Sequence, residues 1–313
     1  MSVESGAGAG SYRSGFACLV GRPNAGKSTL INRMVGTKIA ITSDRPQTTR
    51  RTVRGVVTRP DGQLILVDTP GLHKPRTLLG ERLNDLVRTT WVDVDAVGFC
   101  VAADEKTGPG DRNLARELAS ATRKPVFAVI TKTDIATPAQ TAERLATVQQ
   151  MCVAEGLEIA HFVPVSAVSG SNVDELTELL VSVLPLGPRL YPGDEVTDES
   201  EESMIAELIR EASLAGVVEE LPHSIAVTID EMAMREGRSP DKPLMDIHAT
   251  IHVERESQKP IVIGRRGSRL KAIGMQSRKN IERLVGVPVY LDIHVRVAKE
   301  WQRDPKQLRR LGF

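Results

Sequence analysis

Between an apolar run, Phe16–Val20, and a helical stretch, Leu30–Val35, the chain carries Gly21-Arg22-Pro23-Asn24-Ala25-Gly26-Lys27-Ser28-Thr29. The G-x-x-x-x-G-K-S spacing constrains the fold more than any other feature, because it works as a turn from a strand into a helix N-terminus. Consecutive backbone N–H groups then wrap phosphates, Lys27 adds a point charge for the β/γ oxygens, and the Ser28 hydroxyl is a Mg²⁺ ligand. The expected ligand is a nucleoside triphosphate.

Around this loop, apolar runs alternate with helical patterns. Strands are expected near 51–58, 63–67, 95–102, 126–131 and 159–165, and helices near 82–92, 111–121, 138–154 and 173–184. Pro60-Asp61-Gly62 marks a hairpin between the first two runs. Such alternation builds a mostly parallel sheet with helices on both faces, and its ligands sit at the carboxyl ends of strands. Asp68-Thr69-Pro70-Gly71 follows one strand: Asp68 suits Mg²⁺ and the Gly71 N–H suits the γ-phosphate. Thr131-Lys132-Thr133-Asp134 follows another. The Asp134 carboxylate only accepts, which matches the two donors guanine presents along one edge. Ser166-Ala167, after the last strand, offers a backbone N–H to guanine O6.

Through GRPNAGKS, Gln47-Thr48-Thr49-Arg50, DTPG, TKTD and Val165-Ser166-Ala167, the chain resembles the translation-factor-related GTPases. The resemblance implies GTP/GDP and Mg²⁺ as cofactors, with Ser28, Thr49 and Asp68 around the metal; Thr49 is preferred over Thr48 as the switch ligand. It also implies catalytic roles for Lys27, Asn24, Thr49 and Gly71. Two departures stand out. The family usually has Asn where Thr131 stands, so nucleotide affinity is expected to be weaker. Leu72 stands where small GTPases orient water with Gln. In the branch that shares an apolar residue there, Asn24 helps hold K⁺ beside the β/γ bridge; the other role for Asn24 is that of a turn residue. His73 reads as a hydrated loop histidine rather than a general base.

The formal net charge is +1, yet residues 255–313 hold 15 Lys/Arg against 5 Asp/Glu. A basic end on a near-neutral chain points to a polyanion. Within it, Ile261-Val262-Ile263-Gly264-Arg265-Arg266-Gly267-Ser268-Arg269-Leu270-Lys271 places G-x-x-G before a helix, with Gly274 expected to divide two helices. The glycines admit a phosphate backbone, and Arg265, Arg266, Arg269 and Lys271 supply charge. The αββααβ order and this loop resemble a KH domain, which implies binding of single-stranded RNA. Aromatic residues are only 3% of the chain, so shape, phosphates and base edges must carry recognition. Trp301 and Leu311-Gly312-Phe313 read as a terminal element that packs back.

The expected architecture is therefore α/β: a flexible tail (1–14), a P-loop GTPase domain (15–187), an acidic linker (188–203) and a smaller α+β KH domain (204–313). The pairing resembles, over about 15–313, a bacterial GTPase family. That resemblance implies a cytoplasmic, monomeric factor that binds near the 3′ end of 16S rRNA during 30S subunit assembly, with peripheral association at the inner face of the membrane. The runner-up is an RNA-binding assembly factor whose nucleotide is only a slow timer. Composition agrees with a soluble chain: 313 residues, 26% charged and 41% hydrophobic, with no apolar run near the roughly 18–20 residues that span a bilayer. Cys18, Cys100 and Cys152 lack metal-ligand spacing and are expected to be reduced thiols.

Overall fold

The computed structural model describes residues 12–43, 48–72, 75, 77–193, 195–217 and 221–313. His73, Gln47 and most of the 1–14 tail lie outside the described residues. The chain forms two compact units: one ends at Asp198, and the other is Glu199–Phe313 together with Ile41–Thr48 and Pro75–Glu81.

The first unit runs β1 (Arg13–Gly21), α1 (Lys27–Val35), β2 (Val53–Thr58), β3 (Gly62–Asp68), α2 (Leu78–Asp93), β4 (Ala96–Ala102), α3 (Pro109–Ala121), β5 (Val126–Thr131), α4 (Pro138–Ala154), β6 (His161–Pro164) and α5 (Val173–Ser182). The first turn of α2 belongs to the second unit. Six strands form one sheet in the order β2-β3-β1-β4-β5-β6. Only the β2–β3 hairpin is antiparallel.

Alternation along β1 explains the two covered faces. Ala17 and Leu19 point into one core with Leu30 and Ile31 of α1 and Leu176 and Leu180 of α5. Cys18 and Val20 point into the other, with Trp91 of α2, Leu118 of α3 and Met151 of α4. A strand buried on both sides reads as a continuous apolar run because neither face meets water. Pro at the first position and a reciprocal Thr137–Gln140 capping box start α4, which is why its limits are sharp. The three cysteines are free and buried.

The second unit contains α6 (Glu201–Leu214), α7 (Leu221–Ser224), β7 (Ala226–Met234), β8 (Met245–Val253), α8 (Lys259–Ile263), α9 (Ser268–Val285), β9 (Val289–Val297) and α10 (Pro305–Arg310). Strand β8 pairs antiparallel with β7 and parallel with β9. Ile205 and Ile209 of α6, Ile273 and Ile281 of α9, and Ile247 and Ile251 of β8 share its core. The division expected at Gly274 does not occur: α9 runs unbroken through it. Gly274 faces Ile293 of β9, so the helix tolerates it as a small residue beside the sheet. The break falls earlier, at Gly264–Gly267. Trp301 is fully buried, donates from Nε1 to the Ser224 carbonyl at 3.0 Å and stacks on Phe313 at 5.4 Å.

Candidate functional site

Gly21 ends β1 where a Cβ would meet the Cys100 carbonyl at 2.5 Å, so only glycine lets the chain turn there beside β4. Asn24 (φ 63°) and Gly26 (φ 81°) then adopt left-handed conformations, and α1 starts at Lys27. Asn is among the few side-chain-bearing residues that tolerate this region, which is reason enough for its presence at 24. The Lys27 ammonium is buried and donates to the carbonyls of Gly21 (2.9 Å) and Arg22 (2.8 Å). Burial lowers its pKa, against smaller opposing effects that include the nearby Asp68.

At the next residue, Ser28 Oγ donates to Asp68 Oδ2 at 2.8 Å and lies 3.1 Å from Thr49 Oγ1, which itself donates to Asp68 Oδ2 at 3.3 Å. These three hydroxyl and carboxylate groups come together at the end of β3. Asp68 is fully buried, and its Oδ1 has no hydrogen-bond partner among the described residues. Burial pushes its carboxyl up from 3.8 to about 6, although Ser28, Lys27 and Thr49 favour the charged form. An unpartnered buried carboxylate oxygen beside two hydroxyls fits a hard cation such as Mg²⁺. Among the described residues no three or more His, Cys, Asp or Glu side chains gather; a Mg²⁺ completed by phosphates and water needs none.

The remaining predicted residues line the same edge. Gly71 passes so close to the loop that a Cβ would lie 3.0 Å from the Pro23 nitrogen. Leu72 packs against the core cluster that holds Val20 and Trp91, turned away from any water-orienting role. Thr131 Oγ1 donates to the Ala25 carbonyl at 2.7 Å, so the hydroxyl keeps one tie between base loop and phosphate loop. Lys132 (φ 59°) turns the chain, and exposed Asp134 accepts from Ser166 Oγ at 2.7 Å. Ala167 is half-buried beside it in sequence.

In the second unit, Gly264 (φ 75°), Arg266 (φ 52°) and Gly267 (φ 76°) make the G-x-x-G turn. Arg265, Arg266 and Lys271 are exposed. Arg269 turns inward: its NH2 donates to the carbonyls of Ser213 (3.1 Å) and Ala215 (2.8 Å) at the end of α6. Half-buried and with a pKa lowered by burial, it caps a helix C-terminus. At Gly264 a Cβ would lie 2.6 Å from Arg269 Cβ, so the turn needs glycine there. At Gly267 a Cβ would meet nothing within 4 Å.

Sequence reasoning also missed α6 as a partner of Thr42 and Thr48, which belong to the same unit. Glu211 accepts from the Thr42 N–H at 2.9 Å, and fully buried Arg210, paired with Glu207 at 2.5 Å, donates to the Thr48 carbonyl. No local pattern announces these pairings across more than 160 positions.

A family model described as "50S ribosome-binding GTPase" matches residues 16–132, and a KH domain model matches 220–302. The GTPase Era of Streptomyces coelicolor is 62% identical over 302 residues, covering 96% of this chain and 95% of that protein. The chain belongs to the Era family of GTPases. A second Era, from Mycolicibacterium smegmatis, is 56% identical over 303 residues, covering 96% and 99%. Among solved structures, a variant of Aquifex aeolicus Era bound to GDP·AlF4⁻ superposes with a TM-score of 0.89 at 35% identity, covering 96% and 99%. Era in complex with MgGDPNP and nucleotides 1506–1542 of 16S ribosomal RNA superposes with 0.89 at 36% identity, over the same shares. Membership in the Era family makes the chain a GTP-hydrolysing enzyme with a KH domain.

Proposed function

We propose that this GTPase is a nucleotide-controlled RNA-binding factor that engages the 3′ end of 16S rRNA and serves assembly of the 30S subunit. The observation that carries it is one chain joining the Ser28–Thr49–Asp68 cluster to exposed Arg265, Arg266 and Lys271 on a G-x-x-G turn. Its support is an Era structure, alike over 96% of this chain, that holds both MgGDPNP and 16S rRNA nucleotides. The "50S" of the matching family description concerns residues 16–132 alone and does not decide which RNA the KH unit takes.

In this reading the loop Gly21–Thr29 and the Gly71 N–H hold the phosphates, while Lys132, Asp134, Ser166 and Ala167 hold guanine. Ser28, Thr49 and Asp68 would hold Mg²⁺, which supplies charge neutralisation at the β/γ oxygens. Lys27 leaves the Gly21 and Arg22 carbonyls for the phosphates. Leu72 packs against the core and cannot hydrogen-bond a water, so charge near the β/γ bridge falls to Mg²⁺, Lys27 and a K⁺ that Asn24 would help hold. The slow-timer reading draws on that same Leu72; equal single-turnover hydrolysis in K⁺ and Na⁺ would select it.

The nucleotide's influence on RNA binding is proposed to pass through Thr48–Thr49: the Thr49 hydroxyl meets Ser28 and Asp68, and the Thr48 carbonyl is held by Arg210 of α6. The factor is taken to be a cytoplasmic monomer with peripheral association at the inner face of the membrane. Among the described residues no helix is long and apolar enough to cross a membrane. The test is titration of a 16S 3′-terminal RNA fragment with the full chain at fixed salt, in a GTP analogue and in GDP. Tighter binding with the analogue is expected. Substituting Arg265 and Arg266 by Ala together should flatten the log–log salt slope by about 1.4, at roughly 0.7 per phosphate contact on single strands. Equal affinity in both nucleotides, or for an unrelated RNA, would overturn the reading.

A further inference from the structure

Two carboxylates stand where a triphosphate site should avoid them. Asp104 and Glu105 follow β4, at the strand-end edge that also carries the phosphate loop and the base loop. Glu105 lies 3.6 Å from Arg22 NH1 and 3.9 Å from Lys132 Nζ, and Asp104 lies 3.6 Å from Lys132 Nζ. The same Arg22 NH1 also meets Asp111, at 3.3 Å, a buried carboxylate that accepts the Gly108 N–H at 2.8 Å as α3 begins. The Arg22 stem runs alongside Gly110.

Negative charge near bound phosphates weakens binding unless it does something that offsets the repulsion. Here each carboxylate is matched by a cation, and among the described residues Glu105 alone pairs with cations from both nucleotide-holding loops. At position 131 the tie to the phosphate loop is a hydroxyl bond, Thr131 to the Ala25 carbonyl, where the family's Asn would offer an amide. Glu105 adds an ionic strap across the same gap.

We propose that Glu105 is a positioning residue that fixes the spacing of phosphate loop and base loop through Arg22 and Lys132, and so sets how long guanine nucleotide stays bound. The inference rests on the reading that these two loops hold the nucleotide. Arg22, Lys132 and both carboxylates are each about a third exposed, so the effect is moderate and screened by salt.

The test is the dissociation rate of a fluorescent GDP from the full chain, chased with excess GDP in Mg²⁺ at fixed K⁺, with choline chloride varied to set ionic strength. E105Q is expected to release the nucleotide about two- to five-fold faster at low ionic strength. The ratio should fall towards one at about 0.5 M salt. E105D should stay within about two-fold of the parent, and E105Q should add little in an R22Q background. Release of E105Q at the parent rate overturns the proposal. So does an acceleration that ignores salt and accompanies a lower melting temperature. If the parent chain fails to bind the fluorescent GDP, the reading of the loops falls and takes this inference with it.

Discussion

The phosphate loop at Gly21–Ser28 and the G-x-x-G turn at Gly264–Gly267 both use left-handed residues to feed a chain into a helix. They are finished in opposite ways. In the first, the cation Lys27 is buried and already hydrogen-bonded to its own loop, and a buried carboxylate oxygen waits unpartnered nearby. In the second, Arg265 and Arg266 stand in solvent and the inward arginine, Arg269, braces α6. A site for one small, highly charged ligand can be built in advance and kept dry, where each interaction is strong. A site for a flexible polyanion works at the surface, with contacts that are individually weak and salt-sensitive.

The largest expected effect follows from that contrast. Removing the buried cation, in Lys27→Ala, should lower single-turnover GTP hydrolysis by roughly 10²–10³-fold, the scale of losing one pre-positioned donor. The loss should persist at high salt. Removing one exposed cation, in Arg266→Ala, should weaken RNA binding several-fold at low salt and less as salt rises. Rapid-quench hydrolysis and an RNA titration over several salt concentrations make the comparison. If Lys27→Ala behaved like the exposed arginine, the claim that burial distinguishes the loops would fail.

Asp68 sharpens the same point through stability. Its folded pKa, about 6, lies above the ordinary 3.8 because burial disfavours the carboxylate. The folded chain therefore binds this proton more tightly than the unfolded chain. Stability present at low pH should fall as pH rises from about 4 to about 6 and stay reduced above that. The full penalty is on the order of 3 kcal/mol. Asp68→Asn removes the charge, so at pH 7 the nucleotide-free variant should melt at a higher temperature than the parent while losing Mg²⁺-dependent GTP binding. In the parent, Mg²⁺ should bind more weakly below about pH 6, where it competes with the proton. Calorimetry of both proteins between pH 4.5 and 7.5 checks the sign; a variant less stable than the parent at pH 7 would break the argument.

How much of this was legible in the sequence follows the range of the interactions. The two-faced sheet was readable because Phe16–Val20 and its sister runs are locally apolar, and α4 because its cap is local. The cluster at Ser28, Thr49 and Asp68 was readable because each sits in a short motif. The bonds from Arg269 to α6 were not legible: an arginine two residues past a G-x-x-G looks the same whether it points to solvent or back to Ser213. Gly274 was read as a break because glycine is a poor helix former, but packing against β9 overrode a propensity worth only about 1 kcal/mol. Glu105, Asp111, Arg210 and Glu211 were missed since their partners lie far away in sequence, and long-range pairing leaves no periodic trace.

The smallest predicted difference separates two glycines three residues apart. Gly267 has φ 76° and ψ 8°, with open space where a Cβ would stand. Its replacement by Ala should cost about 1 kcal/mol, the strain of a left-handed alanine. Gly264 has φ 75° and ψ 173°, a region almost closed to other residues, and its Cβ would press on Arg269. Gly264→Ala should therefore cost about 1–2 kcal/mol more, for the strain together with local overpacking. Trp301 is buried in the second unit and Trp91 in the first. Denaturant unfolding followed by fluorescence in a Trp91→Phe background therefore reports the unit that holds both glycines. RNA affinity should rank the variants differently. If RNA runs over the open side of Gly267, as proposed, a methyl there would meet its phosphate backbone, so Gly267→Ala should weaken RNA binding more than its small stability loss accounts for. Equal destabilisation by the two substitutions would mean that the turn relaxes freely around Arg269, and the brace between this loop and α6 would then have no mechanical content.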